Sequence, residues 1–394
     1  MAGAVVVAAL TLVSGACATE TAETPPSLVP LVPPEALPVP TAAPSTTVAA
    51  SSDPSSPLLT ALPDTECGYA DVLPEAEITF VVGDRLYGTS VDAAVARCLR
   101  VLQPAERGQV RWSPDGARVL LNSATLFDVL GARASGFEAV NTRVTWEYPT
   151  GAGVFAPTAS DRTLVRRDAA DPSLRTEVTF LGRTSAAIAH PGGGVRLAAG
   201  QADDGTRGVF AADDAGLSRR LLAIVADPAL DVLELAVDAT GDVMWVLSDN
   251  GARSRIHQLS FADLGLIELS SEQAPIAGLV AGPATRTLGW KVGLCNSVTT
   301  ARVIDARTGS AVTVGEGTPL AGQSVAPVGW LDAARVVVSA RPFGCTGPAD
   351  VWIWNLLDGA ATLVVKNAEF AAVRLVAPAS NQFGVPEAAQ PGLL

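Results

Sequence analysis

The stretch Val110–Leu121 reads VRWSPDGARVLL, and it constrains the fold of this chain more than any other segment. Val110 and Trp112 alternate with polar neighbours, as residues of a half-buried strand do. Pro114 presets one turn dihedral, and Gly116 can take the positive φ that a tight turn demands. Ala117 to Leu121 is a second, more apolar strand. The segment is therefore strand, turn, strand, and the same pattern recurs along the chain.

The copies follow in order. Val144 to Gly151 matches Trp146 to Trp112 and Pro149 to the turn around Pro114, and Val154-Phe155 returns. Ala187 to Gly193 returns through Val195 to Leu197, and Leu235 to Asp242 through Val243 to Val246. Gly278 to Pro283 is looser and returns through Thr287 to Val292; Val328 to Ala334 returns through Arg335 to Ser339. Their starts lie roughly 33 to 50 residues apart, the length of a four-stranded blade. Further turns of the Asp-Gly and Asn-Gly kind follow, at Asp204-Gly205, Asn250-Gly251 and Asp358-Gly359. Phe370 to Pro378 is an orphan first strand, and the strands from Ile78 to Leu102 lack one. Joining the two completes a mixed blade and leaves no open sheet edge. The expected fold is all-β: a closed β-propeller, seven four-stranded blades with six as the alternative, its ring closed by N- and C-terminal strands. The 36 glycines and 28 prolines, set between short apolar runs, suit such a fold better than a helical one.

Trp112-Ser113-Pro114-Asp115-Gly116 resembles the W-S-P-D-G element of TolB-like and related WD-repeat-like propellers. The strict motif occurs once, and the Gly-His and Trp-Asp signatures of the WD repeat proper are absent. The resemblance covers about residues 75 to 380. It implies a propeller and is nearly silent on activity, because that fold carries binding modules and enzymes alike.

Met1 to Ala16 is MAGAVVVAALTLVSGA, long enough for a signal-peptide core and too short for a membrane span of about 20 residues. Gly15-Ala16 before Cys17 resembles a bacterial lipoprotein signal, in which the cysteine is lipidated. Ser14 stands where that signal usually has Leu, and no Lys or Arg precedes the apolar run. The alternative is an ordinary cleaved signal. Residues 18–65 are Ala-, Thr-, Ser- and Pro-rich and read as a disordered linker or stalk. The propeller is expected over 66–382 and a tail over 383–394. Four further cysteines suit two disulfides in an oxidising compartment, Cys67 with Cys98 and Cys295 with Cys345, against the alternative of four buried thiols. The second pair falls in equivalent loops of adjacent copies.

A net charge of −13 argues against nucleic acid and gives no attraction to anionic lipid. No C-x-x-C and no G-x-S-x-G occurs, and the two histidines, His190 and His257, lie far apart. No cofactor, metal or catalytic residue is therefore assigned. Asp203, Asp204 and Asp249 fall at turns and do not complete a calcium loop. Trp112, Trp146, Trp290 and Trp330 read as blade packing, with a sugar-stacking surface as the alternative. The expectation is an exported, lipid-anchored, monomeric propeller that binds an envelope protein or a small ligand. A carbohydrate hydrolase whose acids converge from distant blades is the second reading, and a structural envelope spacer the third.

Overall fold

The chain divides into Met1–Ala50 and Ser51–Leu394, and the second unit holds every residue described below. The computed structural model describes residues 56–63, 66–68, 76–90 and 95–375, except 124, 130–132, 137–143, 149, 158–162, 180–182, 192–194, 203, 214–218, 225–230, 284–286 and 306–307. The expected signal, Cys17, most of the linker and the tail lie outside them.

Seven four-stranded antiparallel sheets make up the described chain. Blade 1 joins the last strand to the first three, in the order β28 (Phe370–Leu375), β1 (Ala76–Val82), β2 (Arg85–Ser90), β3 (Ala96–Val101). Blade 2 is β4 (Val110–Trp112), β5 (Arg118–Leu121), β6 (Thr125–Asp128) and β7 (Arg133–Gly136). Blade 3 is β8 (Thr145–Trp146), β9 (Gly153–Pro157), β10 (Thr163–Asp168) and β11 (Arg175–Thr179). Blade 4 is β12 (Arg183–Ala189), β13 (Val195–Gln201), β14 (Arg207–Asp213) and β15 (Arg219–Ile224). Blade 5 is β16 (Asp231–Val237), β17 (Val243–Asp249), β18 (Ser254–Ser260) and β19 (Leu266–Glu272). Blade 6 is β20 (Ile276–Ala281), β21 (Leu288–Val292), β22 (Thr300–Asp305) and β23 (Ser310–Thr313). Blade 7 is β24 (Ser324–Trp330), β25 (Arg335–Arg341), β26 (Ala349–Asn355) and β27 (Ala361–Ala368). The first strand of each blade touches the first strand of the next, β24 meets β28 and β28 meets β4, so the ring is closed. This is a seven-bladed propeller; the six-bladed alternative is excluded.

The core lies between blades. Each apolar cluster draws on two neighbours: Leu197 and Val209 with Met244 and Val246 between blades 4 and 5, Trp245 and Leu247 with Leu288 and Trp290 between blades 5 and 6. Alternate residues of one strand thus serve opposite neighbours, and β17 is buried from Val243 to Ser248. That is why second strands such as β5 and β17 read as nearly continuous apolar runs rather than as alternation. Burying each such Val, Leu or Phe contributes about 1.5–3 kcal/mol.

Three tryptophans occupy one repeated position and tie first strands together. Trp146 donates its indole N–H to the Arg111 carbonyl (3.2 Å), and Trp330 donates to the Val280 carbonyl (3.0 Å). Trp112 reaches the equivalent carbonyl, that of Ala372, through the Thr79 hydroxyl (2.9 and 3.1 Å). Trp290 is fully buried on a second strand. These side chains are packing, and the sugar-stacking alternative is set aside.

Both cysteine pairs are disulfides, Cys67–Cys98 and Cys295–Cys345. They are consistent with an extracytoplasmic protein. One boundary moves. Residues 58 and 59, expected in the linker, donate their backbone N–H groups to the Leu363 and Val364 carbonyls of β27 (2.9 and 3.1 Å), and Leu59 is buried against blades 7 and 1. The segment covers an outer sheet edge that would otherwise stay unpaired.

Candidate functional site: the central channel

The seven first strands surround the axis, so their residues set what the channel can bind. Four of them are bulged against their second strand. The register shifts between Thr184 and Ala186 in β12, Val232 and Glu234 in β16, Ala277 and Val280 in β20, and Pro327 and Gly329 in β24. A bulge re-aims side chains locally. In β16 it leaves Leu233 exposed, and in β20 it uses Gly278 at φ +67°.

Two charges stand out on these strands. Arg111 of β4 is half-buried; it donates to the Val144 carbonyl (2.7 Å) and to Gln109 Oε1 (3.0 Å). Glu234 of β16 accepts the backbone N–H groups of Gly278 and Leu279 at 3.0 Å each, so the bulge of blade 6 is capped by the carboxylate of blade 5. Burial holds the Arg111 guanidinium below the ordinary arginine range, and the Glu234 carboxylate offsets part of that. Blades 2 and 5 stand three places apart in the ring, so this attraction runs across the channel. Other first-strand residues are small or apolar and half-buried, among them Ala186, Ala277, Ala326, Pro327 and Val328, and of these Ala186 and Val328 pack against the cores between blades while Pro327 lies beside Gly289. The other acid on a described first strand, Asp231, pairs with Arg207 at 3.0 Å.

The residues singled out by sequence go elsewhere. Ser113 Oγ bonds Asp115 Oδ1 (2.5 Å) and receives the Arg118 N–H (2.9 Å), while Asp115 receives the Ala117 N–H (3.0 Å). Gly116 takes φ +65°, and its carbonyl accepts from Arg374 Nε at 2.7 Å. Gly151 in the next blade packs against Ser113 so closely that a Cβ there would stand 2.8 Å from the Ser113 Cβ. Trp112 to Gly116 therefore builds a turn and docks blades. His190 does the same between blades 4 and 5, meeting the Gly241 carbonyl through Nε2 (3.0 Å) and Phe261 edge-on (5.1 Å). Asp204 and Asp249 cap their own turns, at Thr206 and Gly251; Asp203 is outside the described residues. No group of three or more His, Cys, Asp or Glu side chains gathers as a metal site among the described residues.

Arg111 and Glu234 escaped the sequence reading. The available signal was positional. Arg111 aligns with Ile188, Ala236, Val280 and Gly329, and Glu234 with Ala186, Gly278 and Pro327. A charge at a place that other copies fill with small or apolar residues is a candidate for the axis.

No protein-family model matches the chain, and no curated protein matches it. Solved structures do. An oligogalacturonate lyase in complex with manganese is 12% identical, with 71% of this chain and 82% of that one covered and a TM-score of 0.50. The dihydro-heme d1 dehydrogenase NirN in complex with DHE is 15% identical (82% and 79% covered, TM-score 0.49). TolB from Acinetobacter baumannii is 13% identical (76% and 66% covered, TM-score 0.44). At these identities the likeness concerns the propeller fold alone.

Proposed function

We propose that this chain is an exported, lipid-anchored protein whose propeller is a binding platform for an envelope protein or a small ligand. The observation that carries the reading is the channel. Among the described first-strand residues, Arg111 and Glu234 stand on blades three places apart, each held by backbone and each at a position that other copies fill with small or apolar residues. Such an arrangement orients a ligand by few polar contacts. A glycosidase instead needs two acids free to flank a bond, whereas Glu234 and Asp231 are both engaged. Two disulfides support export. The apolar N-terminus ending at Cys17 supports the anchor, and residues 18 to about 57 would form the stalk.

The test is purification of the tagged chain from gently solubilised membranes beside Cys17→Ser. The wild type is expected in the membrane fraction with a stoichiometric partner, and Cys17→Ser in the soluble fraction. Retention of Cys17→Ser on membranes overturns the anchor. Recovery of the propeller alone, with no small ligand bound, counts against the platform.

A further inference from the structure

The loops joining second to third strands of blades 6 and 7 carry a surface that the channel does not explain. Each blade begins its first strand, and passes from second to third, on one and the same face of the ring. The loop after β21 and the loop after β25 therefore open beside the channel mouth. The Cys295–Cys345 disulfide locks them together, and Gly344 passes so close that a Cβ there would stand 3.1 Å from the Cys295 carbonyl oxygen. On these loops Leu294 is 53%, Val298 45% and Phe343 59% exposed. An exposed apolar group fixed on a braced loop loses little freedom on binding.

Beside them stand two cations. Lys291 is the penultimate residue of β21, next to the bridge, its Nζ 3.3 Å from the Cys345 Sγ, and Arg341 ends the neighbouring blade's β25. Both are half-buried, and neither forms an ion pair among the described residues. Burial lowers the Lys291 ammonium and the Arg341 charge lowers it further, with no carboxylate opposing either effect. Two like charges partly removed from water and left uncompensated are unusual on a chain of net charge −13.

We propose that this patch, Lys291 and Arg341 on the strands whose following loops carry Leu294, Val298 and Phe343, docks an acidic segment of a partner protein that carries an aromatic or aliphatic side chain next to its carboxylate. The carboxylate answers the cation pair and the apolar side chain covers the exposed loop residues. An anionic leaflet fits worse, because it draws on several spread cations worth about 1 kcal/mol each, while the rest of this chain is acidic. The inference rests on the platform reading and names where on the platform a protein would sit.

The test is selection of random linear peptides displayed on phage against the detergent-solubilised full-length chain, repeated on Lys291→Glu/Arg341→Glu and on Phe343→Ser. The expected result is enrichment of Asp or Glu beside Phe, Leu or Ile. Peptides made from those sequences should bind the charge-reversed variant at least ~10-fold more weakly, because reversal sets like charges against each other. Phe343→Ser, whose side chain is exposed and whose fold is checked by its melting transition, should weaken them too. Peptides that bind all three forms equally overturn the patch as the docking site and leave the platform reading standing. Failure to select any peptide overturns it as a peptide site, and the membrane purification then decides the platform separately. Binding to phosphatidylcholine–phosphatidylglycerol vesicles that the charge reversal abolishes overturns it in favour of a membrane contact.

Discussion

Glu77 is fully buried on the second strand of the composite blade, where a lone carboxylate could not stay ionised at tolerable cost. Two arginines hold it. Arg97 Nη2 stands 2.7 Å from one oxygen, and the buried Arg374 Nη1 stands 3.2 Å from the other. Gly88 leaves the carboxylate its space, since a Cβ there would fall 2.0 Å from Glu77 Oε1. Arg374 also spans to Gly116 and lies over the Trp112 ring, so one guanidinium joins the chain's last strand to blade 2. Removing one buried partner strands the other. Arg374→Met or Glu77→Leu alone should each cost about 3–5 kcal/mol, and the double variant clearly less than their sum. Urea unfolding of the four forms measures this, and additive losses would refute the coupling. Arg97 is partly exposed and can turn to solvent in the double variant. None of this was legible in sequence. Glu77 and Arg374 lie 297 positions apart, and each sits alone in an apolar strand.

Elements were far more legible than residues, because a blade is written in local chemistry. Turn residues such as Pro114-Asp115-Gly116 mark where a strand reverses, and looser versions of that cue recur at later first hairpins, as at Pro191 and at Asp238 to Gly241. Closure followed from counting half-blades: β28 pairs with β1 from Ala76↔Leu375 to Val81↔Phe370, the join that the orphan segment at Phe370 implied. The bulges were not legible, since Leu233 and Gly278 need the second strand's register to show an extra residue. Nor was the seating of Leu58 and Leu59, for backbone donors carry no sequence signature and Pro57 belongs to a linker-like composition. A chain ending at Ala368 tests the closing strand. It leaves the inner edge of β1 unpaired and unplugs Ala372 and Val373 from the clusters on either side. It should lose the cooperative melting transition or associate into larger species through that edge. Sedimentation together with a thermal melt reads both, and a monomer melting like the wild type would show that β28 is dispensable.

For the molecule as a whole, acidity near neutral pH has few routes to stability, because the chain has only two histidines. Burial lowers His190, with its bond to Gly241 and the Asp242 charge opposing, and burial also lowers His257 against the pull of Glu268. A histidine whose folded-state value lies below its unfolded value of about 6.5 takes its proton more readily when unfolded. Its contribution is therefore complete above about pH 6.5 and lost as the pH falls from there towards the folded value. Each such group adds a slope of at most ~1.4 kcal/mol per pH unit. Shifted carboxylates act lower on the scale. Asp238, raised mainly by burial, works in the opposite sense, regaining stability as it protonates. The histidine that matters more is the one between blades: His190 fills the space beside Gly241, where a Cβ would stand 2.8 Å from its ring. Protonating it charges a blade-to-blade contact packed against Phe261. Urea unfolding of wild type, His190→Gln and His257→Gln between about pH 7.5 and 5.5 should show the wild type weakening on acidification. His190→Gln, which can still donate to the Gly241 carbonyl, should start somewhat less stable at neutral pH and fall less steeply. Parallel slopes for wild type and His190→Gln would mean that His190 titrates alike folded and unfolded, and that the contact between blades 4 and 5 does not sense pH.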